Sequence, residues 1–356
     1  MIIGGVRMMK KRFMKKKTMG ILALLLIASG AITFGLTGCR ELSEADVVGR
    51  LSSQLDESTS YFATGRMEVE SEGQIHTYIV EIGYLQPEYY RVLMRNEATG
   101  NEQIILKNDE GVFVLTPALN KQFKFQSEWP LTSSQVYLYQ SLIIDILNAE
   151  TTVFEALEDH YVFTVGANYQ GNGGLTSQVM HFDRDKLVPV LVEVLDADGV
   201  MRISMAFETF EWNHELADDF FVAESIMELA QDVMGDGGVV SVSNVEEALL
   251  YPTYLPDGAD FIDKTTLSIS HGERVIMTFG GAHEFTIIQE SARVRDVSAP
   301  VMMTGEPVMV NGTVAAITDN TLAWQRNGVE FFLVSNTLDR DQLISVAASI
   351  TDQYEK

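Results

Sequence analysis

The sequence predicts an α+β chain dominated by antiparallel sheet. Three observations carry that expectation: period-two alternation over most of its length, short turns at even spacing between the alternating runs, and only a few stretches with helical periodicity. The first helix is marked by Val47, Val48, Leu51 and Leu55 on one face, with Ser43 as cap and Asp46 three residues on. From Tyr61 the period becomes two, with Met67 and Val69 alternating with Arg66, Glu68 and Glu70. After a turn at Glu72-Gly73, residues Tyr78, Val80, Ile82 and Tyr84 share one side of a strand. Strands at 90–94, 103–106 and 112–115 follow, and turn residues at 86–87, 98–101 and 108–111 separate them into a meander. Residues 134–149 read as a helix with Val136, Leu138, Leu142, Ile143, Ile146 and Leu147. Strands resume at 161–165, 178–182, 188–195 and 201–207, the last pair joined by a tight turn at Asp198-Gly199. A short closing helix is expected within 216–230.

Residues 231–243 have the composition of a linker between one domain at 47–230 and a second, smaller α+β domain at 244–356. The second domain opens on a short helix at 245–250. Its strands are expected around 274–278, 285–289, 307–310, 313–317, 322–326 and 329–334. Two joins, Asn311-Gly312 and Asn327-Gly328, carry the strongest hairpin signal a short sequence can give. A final helix has Asp339 as cap with Gln342 three residues on, and Leu343, Ile344, Ala347 and Ile350 on one face.

The N-terminal 38 residues form a signal peptide: a basic run from Lys10 to Lys17, an apolar core at 20–28, and then Leu36-Thr37-Gly38-Cys39. That tetrapeptide matches the bacterial lipobox, in which the cysteine is acylated and becomes the first mature residue. Cys39 is the only cysteine, so no internal disulfide is available. A leader of this length also allows translation to begin at Met8, Met9 or Met14. Residues 39–46 then serve as a lipidated tether at the extracytoplasmic face of the cell membrane, since acyl chains are what hold such an anchor. Of 25 basic residues seven lie in the leader, leaving 18 against 50 acids, a net charge of −32. A surface so acidic repels nucleic acid, which is excluded as a partner.

No nucleophile elbow, phosphate loop or dinucleotide fingerprint occurs. His214-Glu215-Leu216-Ala217-Asp218 opens like a zinc-protease helix but lacks the second histidine, and reads as a polar loop. Asp196-Ala197-Asp198-Gly199 begins like a calcium loop without the later ligands and reads as a turn. The other histidines (76, 160, 181, 271 and 283) are scattered and take no role. No catalytic residue, metal or cofactor is expected; the chain reads as a binder. Its candidate surface is the concave side of the meander, with Tyr78, Val80, Ile82, Tyr84, Tyr90, Val92 and Met94 facing Leu142 and Ile146 of a helical lid. On periodicity alone, a lid packed solidly onto its sheet accounts for the same residues.

Several local motifs follow a known order. Leu55-Asp56, Ser60-Tyr61-Phe62-Ala63, Tyr84-Leu85-Gln86-Pro87 through Tyr90-Arg91, the Asn108–Gly111 turn, Pro117, Val179 to Asp183, Pro189, Asp198-Gly199, Phe207 and Phe220-Phe221 resemble the lipoprotein-carrier superfamily of LolA and LolB, with the sensors RseB and MucB. The resemblance implies an incomplete antiparallel barrel around helices, with a cavity suited to acyl chains. Gln86 stands where LolA carries a functional Arg before the Pro, so the latch role given to that Arg does not transfer. Residues 245–350 resemble a second domain of LolA-like Gram-positive lipoproteins, some tied to sporulation or germination and one to a cell-wall amidase. The expected function is non-enzymatic binding of a lipid or lipoprotein acyl chain. The alternative is an RseB-like regulatory or scaffolding partner of another envelope protein; an unrecognised hydrolase is a third reading. Cys39→Ala is expected to abolish palmitate labelling of the precursor, and labelling that persists would overturn the lipobox.

Overall fold

In a computed structural model the described residues are 42–71, 73–125, 135–169, 174–234, 245, 249–293, 300–310 and 312–350. The expected leader, the expected lipobox with Cys39, most of the 231–243 segment and half of the expected 245–250 helix lie outside them. From Glu44 onward the chain forms one compact unit.

Helix α1 (Glu44–Glu57) leads into β1 (Ser60–Ser71), β2 (Gln74–Leu85), β3 (Tyr89–Asn96), β4 (Glu102–Asn108), β5 (Gly111–Thr116) and β6 (Lys121–Phe125). Helix α2 (Tyr139–Asn148) precedes β7 (Val153–Ala156), β8 (His160–Gly166), β9 (Leu175–Asp183), β10 (Pro189–Asp196) and β11 (Met201–Trp212). Helix α3 (Ala223–Met234) follows. The C-terminal part holds β12 (Ala259–Ile269), β13 (Gly272–Gly281), β14 (Phe285–Ser291), β15 (Pro300–Met303), β16 (Glu306–Val310), β17 (Thr313–Ile317), β18 (Thr321–Arg326), β19 (Val329–Ser335) and α4 (Arg340–Ala348).

Twelve strands form one open sheet in the order β15-β6-β5-β4-β3-β2-β1-β11-β10-β9-β8-β7, and seven form another in the order β12-β13-β14-β19-β18-β17-β16. Every pairing is antiparallel except β15 on β6. The fold is α+β with open sheets, as the sequence implies: an unclosed barrel with helices, followed by a smaller α+β part. Val47 and Leu51 bury the face of α1 that their spacing marks. Asp339 and Gln342 close a reciprocal capping box on α4. Asn327 and Gly328 adopt φ of 49° and 78°, the left-handed pair that a tight hairpin requires.

The differences have physical causes. Helix α3 runs through residues 231–234, which composition assigns to a linker, because Ile226 and Met227 dock it onto Phe113 and Leu115. Helix α2 begins at Tyr139, five residues inside the expected start, after a turn at 136–137. Leu249 and Leu250 are not helical. Strands β6, β7, β12 and β15 carry no clear local signal: β7 and β15 are four residues each, and β12 mixes polar and apolar residues and is largely exposed on both faces.

Two helices therefore cover opposite faces of the large sheet. Helix α2 lies on the concave side, and α3 lies on the other face against β3–β5. There Phe220 rests flat on Gly83, whose added Cβ would come within 2.2 Å of its ring, and the Arg91 guanidinium sits 4.5 Å from the ring centroid. Gly83→Ala is expected to cost about 1–3 kcal/mol through overpacking, read as a lower midpoint in chemical denaturation; an unchanged midpoint would show that Phe220 can move aside.

Candidate functional site

The register of the large sheet sets one side chain beside the next across a continuous concave face. Ala63, Ile82, Val92, Ile105, Val114 and Phe123 form one cross-strand row, each directly opposite its neighbour. Val80, Met94 and Gln103 form the adjacent row, and Thr116 pairs with Lys121 at its far end. This face is too wide for one helix to cover.

Over β1, β2 and β11 it is packed with aromatic side chains. The ring of Tyr61 lies 5.2 Å from Tyr84, 4.9 Å from Phe210 and 5.7 Å from Trp212, and Tyr139 of α2 meets Trp212 at 4.9 Å. The Tyr61 hydroxyl donates to Gln140 Oε1 at 2.9 Å, and Tyr139 Oη lies 3.1 Å from the Leu51 carbonyl of α1. Burial raises the pKa of Tyr61, Tyr90 and Tyr139 above the usual phenol range, so these hydroxyls stay protonated, and those of Tyr61 and Tyr139 act as donors. Val80, Ile82, Tyr84, Tyr90, Val92, Leu142 and Ile146 are all buried here, beneath or within the helical cover.

Over β4–β6 the cover is the seven-stranded sheet. Its own core lies on its other face, where Trp324 stacks on Phe331 at 4.9 Å beside Leu322, Leu333 and Leu343. Polar contacts hold the seam between the sheets. Gln103 Oε1 accepts the Val314 N–H at 2.7 Å, Asn101 Nδ2 donates to Asn327 Oδ1 at 3.1 Å, and Lys121 pairs with Glu330. Tyr78 seats on Gly312, at φ +74°, where an added Cβ would lie 2.4 Å from the ring.

Two cavities flank this seam. One, of about 660 Å³, has Phe123, Phe125, Met303 and Phe332 on its wall together with Lys121, His271, Glu290, Arg293 and Glu330. The other is about 630 Å³; Tyr78 and Met94 line it with Asn96, Glu97 and Arg326. Gln103, Thr116 and Gln325 border both. The Thr116 hydroxyl and both amide atoms of Gln325 are buried there without a hydrogen-bond partner. Tyr78 and Met94 thus sit at this seam while the other candidate residues belong to the packed end. Periodicity marked the face; it carried no signal for the second sheet that covers its far end.

The remaining sequence candidates lie apart. His214 stacks on Phe62 at 5.2 Å, with Nδ1 2.8 Å from Glu211. Asp196 closes its own turn by accepting the N–H groups of Asp198 and Val200 and pairs with Arg202 at 2.7 Å. The Val200 N–H, then Arg202, hold its carboxyl below the usual range. Gln86 Nε2 donates to the Leu55 and Asp56 carbonyls at 3.4 and 3.3 Å, so it caps the C-terminal end of α1. Among the described residues no helix is long and apolar enough to cross a membrane.

Residues 15–221 match the family model described as sporulation protein YdcC-like. Sporulation protein YdcC of Bacillus subtilis (strain 168) is 37% identical over 341 residues, covering 96% of this chain and 100% of that protein. The chain belongs to the YdcC-like family of sporulation proteins. Among solved structures, the MucA/MucB complex of Pseudomonas aeruginosa is similar at 15% identity and a TM-score of 0.31, covering 86% of this chain and 99% of that one. A LolA superfamily protein from Nitrosomonas europaea is similar at 11% identity and a TM-score of 0.30, covering 52% of this chain and 100% of that one.

Gly312→Val adds a branched side chain at a left-handed position already filled by Tyr78. Hydrogen exchange at the Val314 amide is expected to speed up as its bond to Gln103 breaks, while the Leu343 and Ile344 amides keep their protection. Unchanged protection at Val314 would mean that Tyr78 does not set the seam.

Proposed function

We propose that this YdcC-like protein is a membrane-tethered, extracytoplasmic, non-catalytic lipoprotein that holds an amphiphile at the seam between its two sheets. The tail would lie along Phe123, Phe125, Met303 and Phe332 and the polar head at Gln325 and Thr116. One observation carries the reading: buried, unpartnered polar atoms of Gln325 and Thr116 border a cavity whose wall sets Phe123, Phe125, Met303 and Phe332 beside Lys121, His271, Glu290, Arg293 and Glu330. Buried polar groups are ordinarily bonded, and leaving one unmade costs about 1–3 kcal/mol. A fatty acyl group with a carboxyl or ester head would satisfy them, accepting from and donating to the amide as its protonation allows. At about 660 Å³ this cavity lies within the roughly 300–1,000 Å³ common for small-ligand sites. Arg293, exposed on its wall, offers a cation to an anionic head.

This retains the acyl-binding expectation and moves its site from the helix-covered end of the face to the sheet-covered end. The lipobox supplies the anchor, with Cys39 as the acylated residue. Membership of a family named for sporulation supports a place in the developing spore envelope. Partnership with another envelope protein is a second reading, favoured by the exposed edge of the smaller sheet.

The test is the chain from Arg40 onward, purified without detergent and analysed by native mass spectrometry. Wild type is expected to retain fatty acid or to take up cis-parinaric acid. Ala323→Trp, which fills the cavity, should abolish binding, and Gln325→Leu should weaken it about tenfold, the loss of one or two hydrogen bonds. A wild-type chain that binds neither, or an Ala323→Trp chain that binds as well as wild type, overturns the assignment.

A further inference from the structure

The seam cavity of about 630 Å³ lies within the roughly 300–1,000 Å³ of small-ligand sites, and it takes no part in holding an acyl tail. Polar side chains from both sheets line it: Asn96 and Asn101 at the β3–β4 turn, Gln103 on β4, Thr116 at the end of β5, and Gln325 and Asn327 of the β18–β19 hairpin. Tyr78 and Met94 give it an apolar wall. Its carboxylates and its guanidinium are already engaged. Glu97 pairs with Arg66 at 2.6 Å, Glu102 with Arg95 at 3.4 Å, and Arg326 Nη1 donates to the Ile350 carbonyl at 3.2 Å. Among the described residues, a charged ligand therefore meets no unmatched carboxylate or guanidinium on this wall.

The amides of this cavity are half used. Gln103 Oε1 accepts the Val314 N–H, which fixes the side chain and leaves its Nε2 group as a donor. Asn101 Nδ2 donates to Asn327 Oδ1, which leaves Asn101 Oδ1 as an acceptor and Asn327 Nδ2 as a donor. Gln325 adds both a donor and an acceptor, and Thr116 a hydroxyl, all buried without a partner. Donors and acceptors are thus mixed around one space. Three of the amides are oriented by the seam before any ligand arrives, so little ordering is left to oppose binding.

That mixture selects the ligand. An ester or an ionised carboxylate only accepts, so it leaves the buried Gln325 Oε1 without a donor. A hydroxyl donates and accepts at once, and neighbouring hydroxyls on a ring reach both ends of one side-chain amide. The C–H face of such a ring suits the apolar wall at Tyr78. We infer that this cavity binds a saccharide, an uncharged and hydroxyl-rich ligand of one or two rings. It is a second site: it shares Gln103, Thr116 and Gln325 with the acyl cavity and stands without an acyl tail.

The probe is maltose, a neutral two-ring saccharide, titrated by calorimetry into the chain from Arg40 onward, which contains the whole compact unit that begins at Glu44. Saturable binding is expected, at least about tenfold weaker for maltobionate, which brings a carboxylate to an acidic chain. Gln325→Leu should weaken maltose about tenfold, the loss of two hydrogen bonds. Ala118→Trp, which fills this cavity, should abolish maltose binding and leave cis-parinaric acid uptake at the wild-type level, whereas Ala323→Trp should leave maltose binding intact. Unfolding midpoints establish that the variants are folded. Should Ala118→Trp fail to fold, Thr116→Val is the substitute and should weaken maltose about fivefold, the loss of one hydrogen bond. Dodecyl maltoside below its micelle concentration separates the sources: binding at least about tenfold tighter than maltose marks the sugar head of a lipid, and equal binding marks a free saccharide. No binding of either sugar, equal binding of maltobionate, or undiminished maltose binding by folded Ala118→Trp or by Thr116→Val would each overturn the inference. Loss of cis-parinaric acid uptake alone would strike the acyl reading and leave the saccharide site standing.

Discussion

A twelve-stranded sheet with a long apolar row across one face has to be covered along that row, and that requirement organises the molecule. The face runs from Tyr61 through Ile82 and Val92 to Phe123, a span that α2 alone cannot bury. Each buried aromatic or branched side chain along it contributes about 1.5–3 kcal/mol by leaving water, so an uncovered half would be a large exposed patch. The solution divides the face. The α1–α2 pair closes the β1–β3 side, and a second sheet, with its own core behind it, closes the β4–β6 side.

The two covers differ in quality. A helix presents flexible side chains at 3.6-residue spacing, and here Tyr139 and Gln140 interlock with Tyr61, Trp212 and Phe210 until the space is filled. Two sheets meeting face to face depend on side-chain length to fill the gap between them. On the smaller sheet the positions turned toward the seam include Ala316 and Ala323, which are short, and Glu330 and Gln325, which are polar. The seam is therefore pinned at points, by Lys121 with Glu330, Gln103 with Val314 and Tyr78 on Gly312, and open between them. Breaking one side of a largely buried ion pair such as Lys121–Glu330 costs about 3–5 kcal/mol because the other charge is left behind.

Much of this was readable in advance where one residue's chemistry fixed one local structure. Val47 and Leu51 marked the buried stripe of α1, Asp339 and Gln342 a capping box, Asn327-Gly328 a hairpin, and Tyr78 to Tyr84 the face of β2. The unread elements lacked such signals. Strand β15 is four residues and owes its place to β6, some 180 positions earlier in the chain. Strand β12 has no buried face to impose alternation. Residues 231–234 carry linker-like composition yet continue a helix because Ile226 and Met227 dock it onto the sheet.

The sequence by itself determined the α+β antiparallel plan, the acidic balance of charge and which residues of the meander share a face. Those follow from periodicity, charge and short motifs, all of which act within a few residues. Only the tertiary structure decided what lies over that face. Its packed end and its cavity-bearing end have the same alternation along β2 to β5, and the distinction comes from partners between about 60 and 250 residues away that no local pattern can specify.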